Sequence, residues 1–139
     1  MMRVFLDANV IISVLNKEYP LFTYTARLLS LANDKRFTLV TSPLCLAISF
    51  YFSEKKHGSA IAKKKLSLLT QHIKISNCGE AETLAAINNI KVVDFEDGLQ
   101  YYSAVNAQCS CIVSADLNGF YYSEIEVLEP EFFLKKYLN

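Results

Sequence analysis

The stretch Val4-Phe5-Leu6-Asp7-Ala8-Asn9-Val10-Ile11-Ile12 constrains the fold more than any other part of this chain. Val4, Phe5 and Leu6 form an unbroken β-prone run, as in a strand covered on both faces, whereas Val10, Ile11, Val14 and Leu15 recur at helical spacing. Asp7 therefore falls at the carboxyl end of a strand. In open parallel α/β sheets that edge is where ligands bind, because a strand-to-helix turn points a side chain and free N–H groups into the crevice. The competing reading is local: Asp7 or Asn9 caps the helix, since both residue types are favoured caps.

The rest of the chain repeats the alternation. A helix after Pro20 carries Tyr24, Leu28, Leu29, Leu31 and Ala32, and Phe37–Val40 is a second strand. Ser42 as cap and Pro43 at the first helical position begin a third helix. A loop is expected at Lys55–Ser59, then a fourth helix to Thr70, a short strand at His72–Ile75, and a fifth helix at Glu80–Asn88 with Leu84, Ala85 and Ile87 facing inward. Cys111–Ser114 and Ile125–Leu128 are further strands, and Pro130 opens a last helix. Strands alternating with helices predict an α/β fold: a three-layer α/β/α domain, residues 1–139, around a mostly parallel central sheet of four to five strands.

A length of 139 residues suits one domain with a core of its own. The formal net charge of +0 argues against strong non-specific polyanion binding, though a local basic patch remains open at Lys55, Lys56, Lys63 and Lys64. These lysines are either RNA-facing or a solvated helix face. After Met1-Met2-Arg3 only three apolar residues precede Asp7, so no signal peptide is expected, and the apolar stretch Pro43–Phe52 is too short to span a bilayer. A cytoplasmic protein with no membrane contact is expected. Cys45, Cys78, Cys109 and Cys111 read as free thiols, the last two able to project from one face of a strand.

Two more acidic positions match the first. Asp94 is placed to cap a helix whose first turn carries Glu96 and Asp97, and an acidic start favours the macrodipole. Asp97 nevertheless shares a face with Asp94, so both can converge on a cation. Asp116 follows the strand ending at Ser114, again at a carboxyl edge. Right-handed crossovers bring such edges together, so Asp7, Asp97 and Asp116 are expected to line one pocket. Gathered carboxylates repel unless a cation compensates, and hard oxygen donors suit Mg²⁺ or Mn²⁺, ions that act on phosphate esters.

Phe5-Leu6-Asp7-Ala8-Asn9-Val10-Ile11, Asp94-Phe95-Glu96-Asp97-Gly98-Leu99-Gln100-Tyr101-Tyr102-Ser103-Ala104 and Ile112-Val113-Ser114-Ala115-Asp116-Leu117-Asn118-Gly119-Phe120 resemble, in order and spacing, three signature blocks of PIN domains. Leu128-Glu129-Pro130-Glu131-Phe132-Phe133 is similar to the closing strand and Pro-led helix of that family. The resemblance implies a Mg²⁺- or Mn²⁺-dependent endoribonuclease, often the toxin of a VapC-type toxin–antitoxin pair, with an antitoxin partner and a homodimer. It maps catalytic and metal-binding roles onto Asp7, Asp97 and Asp116, with Asn9, Ser114 and Asp94 in support.

Two positions depart from the family pattern. Ile48 stands where the family's second acid lies on the third helix, and Gly119 stands where the last motif acid would precede Phe120. A PIN-fold binding module with weakened or lost catalysis, taking RNA or a protein partner, is therefore the alternative function. Acids restored at both positions are expected to discriminate the two. A phosphoacceptor α/β domain also uses acids at strand ends, but Asp7-Ala8-Asn9 supplies no second adjacent acid.

Overall fold

The computed structural model describes residues 1–138. In chain order the elements are β1 (Met2–Leu6), α1 (Ala8–Leu15), α2 (Phe22–Ser30), a 3₁₀ turn (Leu31–Asn33), β2 (Phe37–Thr41), α3 (Pro43–His57), α4 (Ser59–Leu69) and β3 (Lys74–Ile75). Then follow α5 (Glu80–Asn88), α6 (Phe95–Asn106), β4 (Cys111–Val113), a second 3₁₀ turn (Asn118–Phe120), β5 (Glu126–Leu128) and α7 (Pro130–Tyr137).

The five strands pair in the order β3-β2-β1-β4-β5, every neighbouring pair parallel. From β1 the chain winds outward to β2 and β3, then returns across the sheet to β4 and β5. The winding thus reverses between β1 and β4, and the crevice outside their carboxyl ends is where such sheets bind ligands. Leu6 lies opposite Val113 in the β1–β4 ladder, so the residues that follow, Asp7 and Ser114, emerge side by side.

Strand alternation builds the two faces. Val4, Leu6, Leu39, Cys111 and Val113 pack on one side with Ile11 and Leu15 of α1, Leu28 of α2, and Phe133 and Leu134 of α7. Phe5, Val40 and Ile112 pack on the other with Tyr101 and Ala104 of α6. Helix α3 serves both, with Leu46 turned to the first cluster and Cys45 and Ile48 to the second. The expected three-layer α/β/α architecture is the one observed, and among the described residues no helix is long and apolar enough to cross a membrane.

Local departures have local causes. The loop expected at Lys55–Ser59 is mostly helix: α3 continues to His57, where Lys55, Lys56 and His57 suit the negative end of its dipole, and breaks only at Gly58, φ 85°. On α5, Leu84 and Ile87 are exposed rather than inward. Glu82 and Ala86 turn inward instead, because the Glu82 carboxylate accepts the Gly79 N–H at 2.7 Å and Ala86 lies against Gly98 of α6. The cysteines are free, but Cys109 precedes β4 and joins the cluster opposite to that of Cys111, so the two thiols do not share a strand face. The strand expected from His72 narrows to Lys74–Ile75.

Candidate functional site

Asp7 is both cap and buried acid. Its backbone is extended (φ −71°, ψ 163°), and its Oδ1 accepts the Ala8 N–H at 2.8 Å, so capping of α1 and display at the sheet edge are one geometry. Its Oδ2 accepts the Ser114 hydroxyl at 2.8 Å. Asn9 ties the two strand ends together: its Nδ2 donates to Ser114 Oγ at 3.1 Å and its Oδ1 accepts the Ala115 N–H at 3.0 Å. Asn9 and Ser114, expected to support Asp7, take part in three of these contacts.

The other acids approach from two sides. The Asp116 N–H donates to Ser114 Oγ at 3.1 Å, and Asp116 Oδ1 accepts the Asn118 N–H at 3.0 Å, which starts the 3₁₀ turn. On α6, Asp94 is the N-cap, accepting the Asp97 N–H at 3.2 Å. That turn and α6 close on each other at Gly119: a methyl placed on its Cα would meet Asp97 Oδ2 at 1.9 Å. Only a residue without a side chain fits there while Asp97 keeps this position.

Electrostatics link the acids. Burial raises the Asp7 carboxyl; the Ser114 hydroxyl and Ala8 N–H oppose the rise, while Glu96 and Asp116 add to it. Asp97 is pushed up to about 7, by burial first and then by Asp7, Asp94, Asp116 and Glu96 in turn. Their charge is not neutralised by a lysine or arginine: among the described residues the ion pairs are Arg36–Asp34, Lys135–Glu131 and Lys136–Glu126, all elsewhere. The Tyr122 hydroxyl is buried without a hydrogen-bond partner among the described residues, and its pKa is raised by burial and then by Asp97.

This donor set matches a hard divalent cation in chemistry but not as a closed cage. Among the described residues, no group of three or more His, Cys, Asp or Glu side chains is gathered tightly enough to hold a metal ion unaided. Mg²⁺ is bound through one or two carboxylates with waters completing its shell, so an open notch of carboxylates fits it better than a full protein cage would.

The two departures from the family pattern have opposite structural consequences. Ile48, half-buried on α3, packs against the cluster of Phe5, Val40 and Cys45, and Asp7 is close enough to help burial push the Cys45 thiol up to about 12. Ile48 lies three residues from Cys45, on the same side of α3. Gly119 instead admits the Asp97 carboxylate itself. Sequence reasoning took Gly119 for a turn residue and a missing acid and missed this role, because the approach of Asp97 joins segments far apart in the chain.

The basic candidates stand apart. Lys55 lies twelve residues beyond Pro43 on α3, about 18 Å along the axis from the helix start at the sheet edge. Its Nζ sits over the Tyr51 ring, 4.3 Å from the centroid, and Lys56 Nζ donates to the Asn16 carbonyl at the end of α1. Lys63 and Lys64 are exposed on α4. None of the four is brought into the notch.

A PIN domain family model matches residues 3–118. Among solved structures, VapBC2 from Rickettsia felis, bound to a DNA fragment from the promoter, has a chain that superimposes with TM-score 0.69 at 19% identity, covering 92% of this chain and 98% of that one. The Mycobacterium tuberculosis toxin VapC20, described as cleaving the sarcin–ricin loop, gives TM-score 0.70 at 12% identity, with 89% and 98% covered. FitAcB from Neisseria gonorrhoeae gives 0.65 at 14%, with 92% and 98% covered. A search of curated proteins found no match. The family model reaches from β1 through β4 and takes in the strand-end acids, and the superpositions extend over nearly the whole chain: this protein belongs to the PIN domain family.

Proposed function

We propose that this protein is a Mg²⁺- or Mn²⁺-dependent endoribonuclease, the toxin of a toxin–antitoxin pair, acting through Asp7, Asp97 and Asp116. The observation that carries the reading is the gathering of acids at the β1–β4 edge: Ser114 joins Asp7 to the Asp116 N–H, Gly119 abuts the Asp97 carboxylate, and burial with Asp7, Asp94, Asp116 and Glu96 pushes Asp97 up with no basic side chain among the causes. Such a cluster is costly in a metal-free protein and is relieved by a divalent cation. When bound, that cation would polarise the phosphodiester and acidify a water molecule.

The chain's own residues divide the remaining work. Ser114 and Asn9 fix Asp7 in one orientation, so its carboxylate is preorganised to take part in binding. Asp97, giving up its proton, and Asp116, at the mouth of the 3₁₀ turn, complete the donor set. Lys55, Lys56, Lys63 and Lys64 supply a distal attraction for the RNA backbone rather than contacts at the scissile bond.

An antitoxin partner goes with this reading, supported by the likeness to chains crystallised as VapBC2 and FitAcB, and a homodimer is proposed with it from the family resemblance. The experiment is cleavage of single-stranded and structured RNA by the purified protein with Mg²⁺ or Mn²⁺, alongside Asp7→Asn. Metal-dependent cleavage lost in the variant is the expected result, and undiminished cleavage by Asp7→Asn rejects the assignment. A second reading, a binding module without chemistry, is favoured by Ile48 occupying the place of an acid; RNA or protein binding with no cleavage under any divalent ion supports it.

A further inference from the structure

We infer that Tyr121 is a stacking platform for a base of single-stranded RNA next to the scissile phosphate. The inference rests on the nuclease reading above and names how that site holds its substrate. Its basis is a juxtaposition: an exposed aromatic ring, pinned at both ends, on the segment that closes over Asp97.

Tyr121 follows the 3₁₀ turn by one residue, two residues after the Gly119 that abuts the Asp97 carboxylate. Its hydroxyl donates to the Lys91 carbonyl, on the segment leading into the acidic start of α6. The ring packs edge-to-face with Tyr122, at 5.4 Å between centroids and 84° between planes. Tyr122 meets Tyr101 in the same way at 5.2 Å, and Tyr101 belongs to the core cluster under α6. A ladder of edge-to-face rings therefore runs from the core to the rim, and its outermost member stays 63% exposed. Exposed tyrosines are ordinarily free to change rotamer; this one is held by a hydrogen bond and a ring contact while presenting its surface to solvent.

Charge explains why stacking suits this rim. Residues 91–97 and 114–124 carry Lys91 against Asp94, Glu96, Asp97, Asp116 and Glu124. That balance repels a phosphate backbone. A strand drawn to the notch has to be held there by its bases, and base–aromatic stacking is the contact that needs no charge and tolerates any sequence. A duplex hides its base faces, so the platform selects unpaired nucleotides.

The test is binding and cleavage of a short labelled single-stranded RNA, intact and with an abasic residue at each position in turn, by the parent protein, Tyr121→Ala, Tyr121→Phe and Tyr121→Trp, with Mn²⁺ present. For Tyr121→Ala, affinity is expected to fall about tenfold, the size of one base–aromatic stack, with KM raised and kcat little changed. Phe and Trp keep the ring and stay within about threefold of the parent. One abasic position weakens the parent as much as Tyr121→Ala does and adds nothing in that variant. If Tyr121→Ala binds and cleaves like the parent, the platform is refuted and the nuclease reading stands. Loss spread evenly over all abasic substrates, with a lowered melting temperature, or a change in self-association alone refutes it in favour of a structural or protein-contact role. A parent that neither binds nor cleaves RNA overturns the nuclease reading and this inference together.

Discussion

The Cα of Gly119 stands so close to the Asp97 carboxylate that a methyl group added there would lie 1.9 Å from Oδ2 and 2.7 Å from Cγ. The carboxylate takes the space a side chain at 119 would need. Gly119→Asp, which restores the family's acid, is therefore expected to displace Asp97 and lower divalent-cation affinity, at a cost in stability of about 1–3 kcal/mol for the overpacking. Calorimetric titration with Mn²⁺ and thermal melting check this; a gain in affinity would show that the turn moves aside freely.

Ile48→Glu has the opposite expectation. The position is half-buried beside the cluster that includes Phe5 and Cys45, on the side of α3 from which Cys45 senses Asp7. Losing the apolar contact costs about 1–2 kcal/mol, but the added carboxylate strengthens Mn²⁺ binding. Cleavage assays on the two single variants separate the effects, with activity predicted to rise for Ile48→Glu and to fall for Gly119→Asp.

Asp97 sets a pH dependence. Its carboxyl holds a proton up to about 7 in the folded protein, against the ordinary aspartate value of 3.8. Between those values the unfolded chain releases a proton that the folded chain keeps, so the metal-free protein loses stability as pH rises through this window and levels off above it. Melting temperatures in EDTA are expected to decline across that range, and Asp97→Asn to flatten the decline. Divalent-cation affinity runs the other way, rising with pH through about 7 as the proton leaves.

Ser114→Ala removes the hydroxyl that donates to Asp7 and receives the Asn9 amide and the Asp116 N–H. Leaving those buried or half-buried groups short of a partner costs about 1–3 kcal/mol. The Asp7 carboxyl, deprived of the contact that most lowers it, rises further. Activity is expected to drop and its pH profile to move upward, whereas Ser114→Thr, which keeps the hydroxyl, retains most of both.

Much of this was legible from residue order because the site sits at element boundaries. A β-prone run followed at once by Asp7 and a helical repeat fixes the acid at a strand's carboxyl end, and the same logic places Asp116 after Cys111–Val113. What escaped the sequence were contacts between segments far apart in it. The Gly119–Asp97 approach and the Tyr121–Lys91 hydrogen bond depend on how the 3₁₀ turn lies over the start of α6, which no local periodicity encodes. Helix α5 misled for a related reason: the inward positions of Glu82 and Ala86 answer to a cap on Gly79 and to Gly98, not to the apolar spacing of Leu84 and Ile87.

Asp7, Asp97 and Asp116 are proposed to share one divalent cation, and anomalous diffraction from a Mn²⁺-soaked crystal tests this most directly. A single strong peak between Asp7, Asp97 and Asp116, absent from Asp7→Asn crystals soaked in the same way, is the predicted result. Mn²⁺ found only at other surface carboxylates, or a peak that survives in Asp7→Asn, would contradict it.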